Sequence, residues 1–218
     1  MTVEQIASLK IPEKFGADDN GDETAAMQFV IDQLYDIKTS VVYHYGASQF
    51  VIEDPSDEVV YKIPFNGEFW YNNDDEEETD EDSWHWFNRV NYCELTEEIY
   101  DNAVDKGIEK IFAKIERVGT TVSGKPFYAQ ERIEVAYEDD ETERTHSRDS
   151  EKEYENLPYF RNRFPADWLL CAIDYYGIDF IKKFLPFAYD LSDLHRGNIG
   201  YRFDGSPVIF DYCGYYEG

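Results

Sequence analysis

Residues 190–214 read DLSDLHRGNIGYRFDGSPVIFDYCG, and they carry the polar groups of this chain whose spacing best suits chemistry. Asp193 is followed five residues later by Asn198, and Asp211 comes thirteen residues after that, at the end of the apolar run Pro207-Val208-Ile209-Phe210. A carboxylate can accept or orient the proton of an attacking hydroxyl. An amide oxygen and a second carboxylate suit Mg²⁺, which takes oxygen ligands and shares them with phosphates. Together these are the groups that phosphoryl transfer requires. Asp204-Gly205 predicts a tight turn pairing Ile199-Gly200-Tyr201 with Val208-Ile209-Phe210, so that Asp211 is aimed from the carboxyl end of a strand.

The elements that must position these groups can be read from periodicity. A helix is expected near 23–36 as the first structured element, then a strand, turn, strand signal from Phe50-Val51-Ile52 and Val59-Val60-Tyr61-Lys62-Ile63 around Asp54-Pro55-Ser56-Asp57. A helix from Ser83 or Asn88 runs through Tyr92, Leu95, Ile99 and Ala103 and stops at Gly107. Ile111 to Ile115 and Pro126 to Ala129 read as two further strands around a turn at Gly119 to Gly124. Glu131 to Glu155, with eleven acids against four basic residues, reads as a charged, partly helical segment. Pro165 opens a helix with Trp168, Leu169, Ala172, Ile173 and Tyr176 on one stripe, ending at Gly177, and a shorter helix from Asp179 to Leu185 ends at Pro186.

Asp193-Leu194-His195-Arg196-Gly197-Asn198 and Asp211-Tyr212-Cys213-Gly214 resemble the catalytic loop and DFG loop of the protein kinase-like superfamily, and the first is closest in wording to aminoglycoside and choline kinases. The resemblance spans about Val41 to Gly214. It implies an α+β, protein kinase-like fold with an antiparallel five-stranded N-lobe and a reduced, mostly helical C-lobe. The implied division is a helical extension over 1–40, an N-lobe over 41–133 and a C-lobe over 134–218. ATP and Mg²⁺ are the implied cofactors, with Asp193 as base and Asn198 and Asp211 on the metal. Lys62, in a run similar to V-A-I-K on the third strand, would contact the α and β phosphates. Glu97 on the following helix would pair with it, Glu94 being the alternative, and the segment holding Glu131 and Ile133 falls where the family binds adenine.

The chain departs from the family in three places. Tyr45-Gly46-Ala47-Ser48-Gln49 has one glycine where a glycine-rich loop is expected, Leu191 stands where the family has a histidine, and only four residues follow Gly214. No platform for a peptide substrate is therefore expected, and the substrate would be a small molecule or one presented by a partner. His195 reads as a histidine packing its loop, and Arg196 as meeting a phosphate or solvent. Trp84, His85 and Trp86 read as the anchor of a lid.

Composition limits the alternatives. With 20 Lys and Arg against 47 Asp and Glu, the formal charge of −27 excludes a basic nucleic-acid or anionic-membrane surface, because such binding depends on cations that displace counterions from phosphates. Hydrophobic content of 42% and aromatic content of 17% are too high for a disordered acidic chain, so a packed core is expected. Cys93, Cys171 and Cys213 are odd in number and lie outside any CxxC spacing, which argues against a disulfide framework or zinc site and for a reducing cytoplasm. No run approaches the roughly 18 apolar residues of a membrane span.

Two functions of different class follow. The first is a minimal kinase-like phosphotransferase or nucleotide-binding protein, a regulatory pseudokinase being its inactive form. The second is an acidic inhibitor on the same scaffold that mimics nucleic acid and blocks a basic or DNA-binding partner. The run Asp74 to Asp82, with eight carboxylates in nine positions, favours the second or is a solvated loop.

Overall fold

A computed structural model describes residues 1–17, 23–46, 48–65, 68–70, 85–87, 91–135, 147–191 and 194–212. Among them are six α-helices and ten strands, an α+β protein with a five-stranded antiparallel sheet. The chain divides into two compact units, Met1–Glu94 with Glu116–Gln130, and Leu95–Ile115 with Glu131–Gly218. Among the described residues no helix is long and apolar enough to cross a membrane.

The first unit opens with α1 (Val3–Ala7), whose start is fixed by a capping box in which Thr2 and Gln5 satisfy each other's backbone N–H groups. Helix α2 (Ala25–Ile37) follows, capped by the Thr24 hydroxyl. Strands β1 (Val42–Tyr45), β2 (Gln49–Glu53) and β3 (Val59–Pro64) form an antiparallel meander, and a short pair, β4 (Glu68–Trp70) and β5 (His85–Phe87), comes next. The β2–β3 turn is tightened by Asp54, whose carboxylate accepts the Ser56 N–H at 3.1 Å. Phe50, Ile52, Tyr61 and Ile63 alternate onto one face and pack on Ile6, Phe15, Met27, Val30, Ile31 and Leu34. Each such burial contributes about 1.5–3 kcal/mol.

Helix α3 (Tyr92–Asp105) begins where Asn91 accepts the Glu94 N–H at 3.2 Å. It ends in a Schellman motif: Gly107 takes φ 65°, its N–H donates to Val104 O, and the Ile108 N–H donates to Ala103 O. Strands β6 (Ile115–Thr120) and β7 (Pro126–Glu131) complete the large sheet in the order β1-β2-β3-β7-β6.

In the second unit, β8 (Glu134–Val135) precedes the helices α4 (Arg148–Glu155), α5 (Ala166–Tyr176) and α6 (Ile178–Tyr189), and the hairpin of β9 (Ile199–Tyr201) and β10 (Pro207–Ile209) follows. These strands form a sheet in the order β10-β9-β8. The core gathers Ile99, Phe112, Trp168, Leu169, Phe184, Ile199, Ile209 and Tyr212.

Several expectations require correction. A helix precedes the one expected first, because the capping box stabilises a five-residue helix too short to show periodicity. The start of α3 is Tyr92 rather than Ser83 or Asn88, since His85–Phe87 is a strand and Asn91 supplies the cap. The run Ile111 to Ile115 is not one strand. Residues 109–111 form a 3₁₀ turn, Phe112 bridges Ile209 in parallel, and the strand begins at Ile115. Helix α6 continues through Pro186 to Tyr189, because Pro186 lies on the exposed face and the carbonyls of Ala188, Tyr189 and Leu191 accept N–H groups of Arg163. The β9–β10 hairpin pairs Ile199–Tyr201 with Pro207–Ile209 rather than with Val208 to Phe210, and the five residues 202–206 connect them, with Gly205 at φ 84°.

Candidate functional site

Lys62 sits on β3, the third strand. Its neighbours Tyr61 and Ile63 belong to the helix-covered core, so the two-residue period turns Lys62 to the opposite face of the sheet. It pairs with Val51 of β2, and Gln49 lies on the same face. On β7, Phe127 meets Tyr61 on the core side, which puts Tyr128 and Gln130 on the side of Lys62. This second face is polar but buried: Gln49 is 5% exposed, Lys62 4%, Tyr128 1% and Gln130 1%. The Cys93 S–H donates to Gln49 Oε1 at 3.3 Å, and Asn91 Nδ2 donates to the Tyr128 hydroxyl at 2.7 Å. Among the described residues the Lys62 ammonium makes no hydrogen bond or ion pair. A strand lysine is ordinarily turned to solvent, and this one is not.

In the second unit the loop before β9 is organised by its own side chains. His195 caps the 3₁₀ turn Arg196–Asn198, its Nδ1 accepting the Gly197 N–H at 3.0 Å. A Cβ on Gly197 would lie 2.8 Å from the imidazole, so glycine is what allows the ring to close over the loop. Arg196 pairs with Asp167 at 3.1 Å on the surface. Asn198 is 6% exposed, and its carbonyl accepts both the Phe210 N–H at 3.0 Å and the Asp211 N–H at 3.4 Å. The two metal-ligand candidates, thirteen residues apart in sequence, are therefore joined through the backbone. Asp193 lies outside the described residues, as do Cys213, Gly214 and the acidic run 74–82. Trp84 and the side chains of His85 and Trp86 are outside them too.

The segment carrying Asp211 is held from a second direction. The Ala113 N–H donates to Ile209 O at 2.8 Å, and the Tyr212 hydroxyl donates to Ala113 O at 2.8 Å. Tyr212 is fully buried, with its ring edge-on to Phe112 at 5.0 Å. Burial pushes its phenol well above the usual range, so it remains a donor at any physiological pH.

Glu97 and Glu94 differ in surroundings. Glu94 is exposed and engaged by Asn91 at the start of α3, whereas Glu97 is half-buried one turn on. Glu131 is committed within its own unit: its N–H donates to Lys114 O, and its carboxylate takes two hydrogen bonds from Arg202. Arg202 also donates to the carbonyls of Lys110 and Phe112 and to the Tyr176 hydroxyl. This hub lines a cleft of about 330 Å³ with Tyr100, Lys114 and Asp204, and neither Asn198 nor Asp211 borders it. Ile133 lies against β9, where a Cβ on Gly200 would come within 2.7 Å of its side chain and 2.2 Å of Glu134 O.

Reasoning from sequence missed the Arg202–Glu131 pair, the Tyr212–Ala113 bond and the close approach at Gly200. Each joins residues far apart in the chain, and only the glycine in an apolar strand run hinted at one of them.

The donor set at Asn198 and Asp211, one amide and one carboxylate, is hard oxygen and fits Mg²⁺. Among the described residues no group of three or more His, Cys, Asp or Glu is placed to hold a metal by itself.

The class defined by these features is an α+β protein of two compact units, one with a buried lysine on a five-stranded antiparallel sheet and one with an Asn–Asp pair at the mouth of a hairpin. No family model, no curated protein and no solved structure matches this chain.

Proposed function

We propose that the protein is a minimal kinase-like nucleotide-binding protein and phosphotransferase that uses ATP and Mg²⁺. The observation that carries this reading is Lys62, an ammonium 4% exposed on the third strand of a five-stranded antiparallel sheet, with no ionic partner among the described residues. A buried cation left without an anion costs several kcal/mol. An anionic ligand such as a phosphate offsets that cost, and a side chain otherwise better replaced by an apolar one then has a purpose.

The chemistry assigned to the chain follows its donor types. Asn198 and Asp211 hold Mg²⁺ through oxygen, Lys62 neutralises phosphate charge, and the segment from Glu131 to Ile133 contacts the base through backbone groups other than the Glu131 N–H, which is donated to Lys114 O. When bound, Mg²⁺ supplies charge stabilisation to the phosphates. Asp193 takes the proton of the acceptor hydroxyl as that oxygen attacks the γ phosphorus, and the bond to the β–γ bridging oxygen breaks to release ADP.

Calorimetric titration of ATP with Mg²⁺ into the protein, with Asp211→Asn alongside and phosphate release measured on the same samples, tests this. Metal-dependent binding that weakens at least 10-fold in the variant is the expected result. Absence of binding at millimolar ATP overturns the reading and favours the acidic inhibitor, whose affinity for a basic partner would fall steeply with salt, in keeping with the charge of −27.

A further inference from the structure

We propose that the hydroxyl of Tyr212 is a latch that positions the Asp211 carboxylate, so that Tyr212 is a positioning residue for the metal-binding pair; the ligand side of this inference rests on the nucleotide reading above. The peptide of Ala113 is gripped at both ends by the same short segment, its N–H by Ile209 O and its carbonyl by the Tyr212 hydroxyl, each at 2.8 Å. Between these anchors the Phe210 and Asp211 N–H groups share the Asn198 carbonyl at 3.0 and 3.4 Å. Residues 209–212 are thus tied at four consecutive positions, and Asp211 has little freedom to turn.

The contributions of ring and hydroxyl are separable. The Tyr212 ring packs on Phe112 in the core and would stay there in phenylalanine. The hydroxyl has one role, the bond to Ala113 O, and that carbonyl is buried. Without it the segment loses its last anchor, and the longer of the two bonds to Asn198, the one from Asp211, is the first to open. A residue of merely structural value would lower stability without changing how Asp211 is held.

The test is Tyr212→Phe in the full chain, with Phe112→Leu as a packing control. Three quantities are read: amide hydrogen exchange at Phe210 and Asp211 by NMR, affinity for ATP with Mg²⁺ by calorimetry, and the melting temperature. The expected result for Tyr212→Phe is exchange at Asp211 at least 10-fold faster and affinity at least 10-fold weaker, while Phe112→Leu lowers the melting temperature with a smaller effect on both. Unchanged exchange and unchanged affinity in Tyr212→Phe overturn the latch and leave the nucleotide reading standing. If the unaltered protein binds no nucleotide, that reading falls, and exchange at Asp211 alone then decides for or against the latch.

Discussion

The guanidinium of Arg202 holds the carboxylate of Glu131 through two parallel hydrogen bonds, 2.6 Å from Nε to Oε1 and 3.0 Å from Nη2 to Oε2. The remaining N–H groups reach the Lys110 and Phe112 carbonyls and the Tyr176 hydroxyl, so one side chain ties the end of β7, the 3₁₀ turn before Phe112, α5 and the β9–β10 hairpin. Lysine carries the same charge but only three rotatable donors and no planar fork. Arg202→Lys is therefore expected to lose about 2–4 kcal/mol in denaturant unfolding. A loss under 0.5 kcal/mol, about the scatter of ordinary surface substitutions, would show that the fork is not needed.

Lys62 predicts an opposite sign. Replacing a buried ammonium that has no ionic partner among the described residues by an unbranched apolar side chain of similar length removes a desolvation penalty, so Lys62→Met should raise stability by about 1 kcal/mol. Binding of ATP with Mg²⁺ should fall at least 10-fold in the same variant. Thermal melting and calorimetry on one preparation test both, and a variant less stable than the parent would mean that the ammonium has a structural partner.

Asp54 makes the first unit acid-sensitive. The Lys38 ammonium and the Met1 α-ammonium both donate to its carboxylate and hold it well below the usual carboxylate range. A depressed native pKa contributes stability that is complete above the ordinary value, near 4, and is lost as pH falls toward the native value. Asp54→Asn should thus melt about 5 °C below the parent at pH 7, and the gap should narrow steadily below pH 4. Comparing the two proteins removes the background effect of the other acids. A gap that stays constant with pH would sink the assignment.

Gly200 is fixed by contact rather than by backbone angle. An added Cβ would lie 2.2 Å from the Glu134 carbonyl oxygen, and a backbone atom of a paired strand cannot swing away as a flexible side chain can. Gly200→Ala should cost about 3 kcal/mol or prevent folding, whereas Gly46→Ala, with nothing within 4 Å of its Cβ, should cost less than about 1 kcal/mol. Parallel unfolding curves of the two variants check this, and equal costs would contradict the close approach.

Much of the scaffold was legible in the chain because local forces determine it. The β-rich runs Phe50 to Ile52 and Val59 to Ile63 around the turn at Asp54 to Asp57 marked β2 and β3, and the stripe from Trp168 to Tyr176 marked α5. The spacing of Asn198 and Asp211 across a hairpin was enough to expect that the two would meet, since β9 and β10 are close in sequence. The boundaries were less legible. Asn91 rather than Asn88 starts α3, and Pro186 does not end α6, because the choice in each case depends on an atom from elsewhere in its unit: the Tyr128 hydroxyl that holds Asn91, and the Arg163 guanidinium at the end of α6.

The sequence by itself determined the chemical types, Lys62, Asn198 and Asp211 with their spacing and an acidic overall charge, since these depend only on composition and order. Only the tertiary structure decided that Lys62 is buried on a polar sheet face rather than solvated, that Glu131 is spoken for by Arg202, and that Tyr212 reaches Ala113. The reason is the range of the forces involved. Periodicity and capping act over a few residues, but burial and the pairing of a buried donor with its acceptor join positions 99 and even 112 residues apart, and no local pattern encodes them.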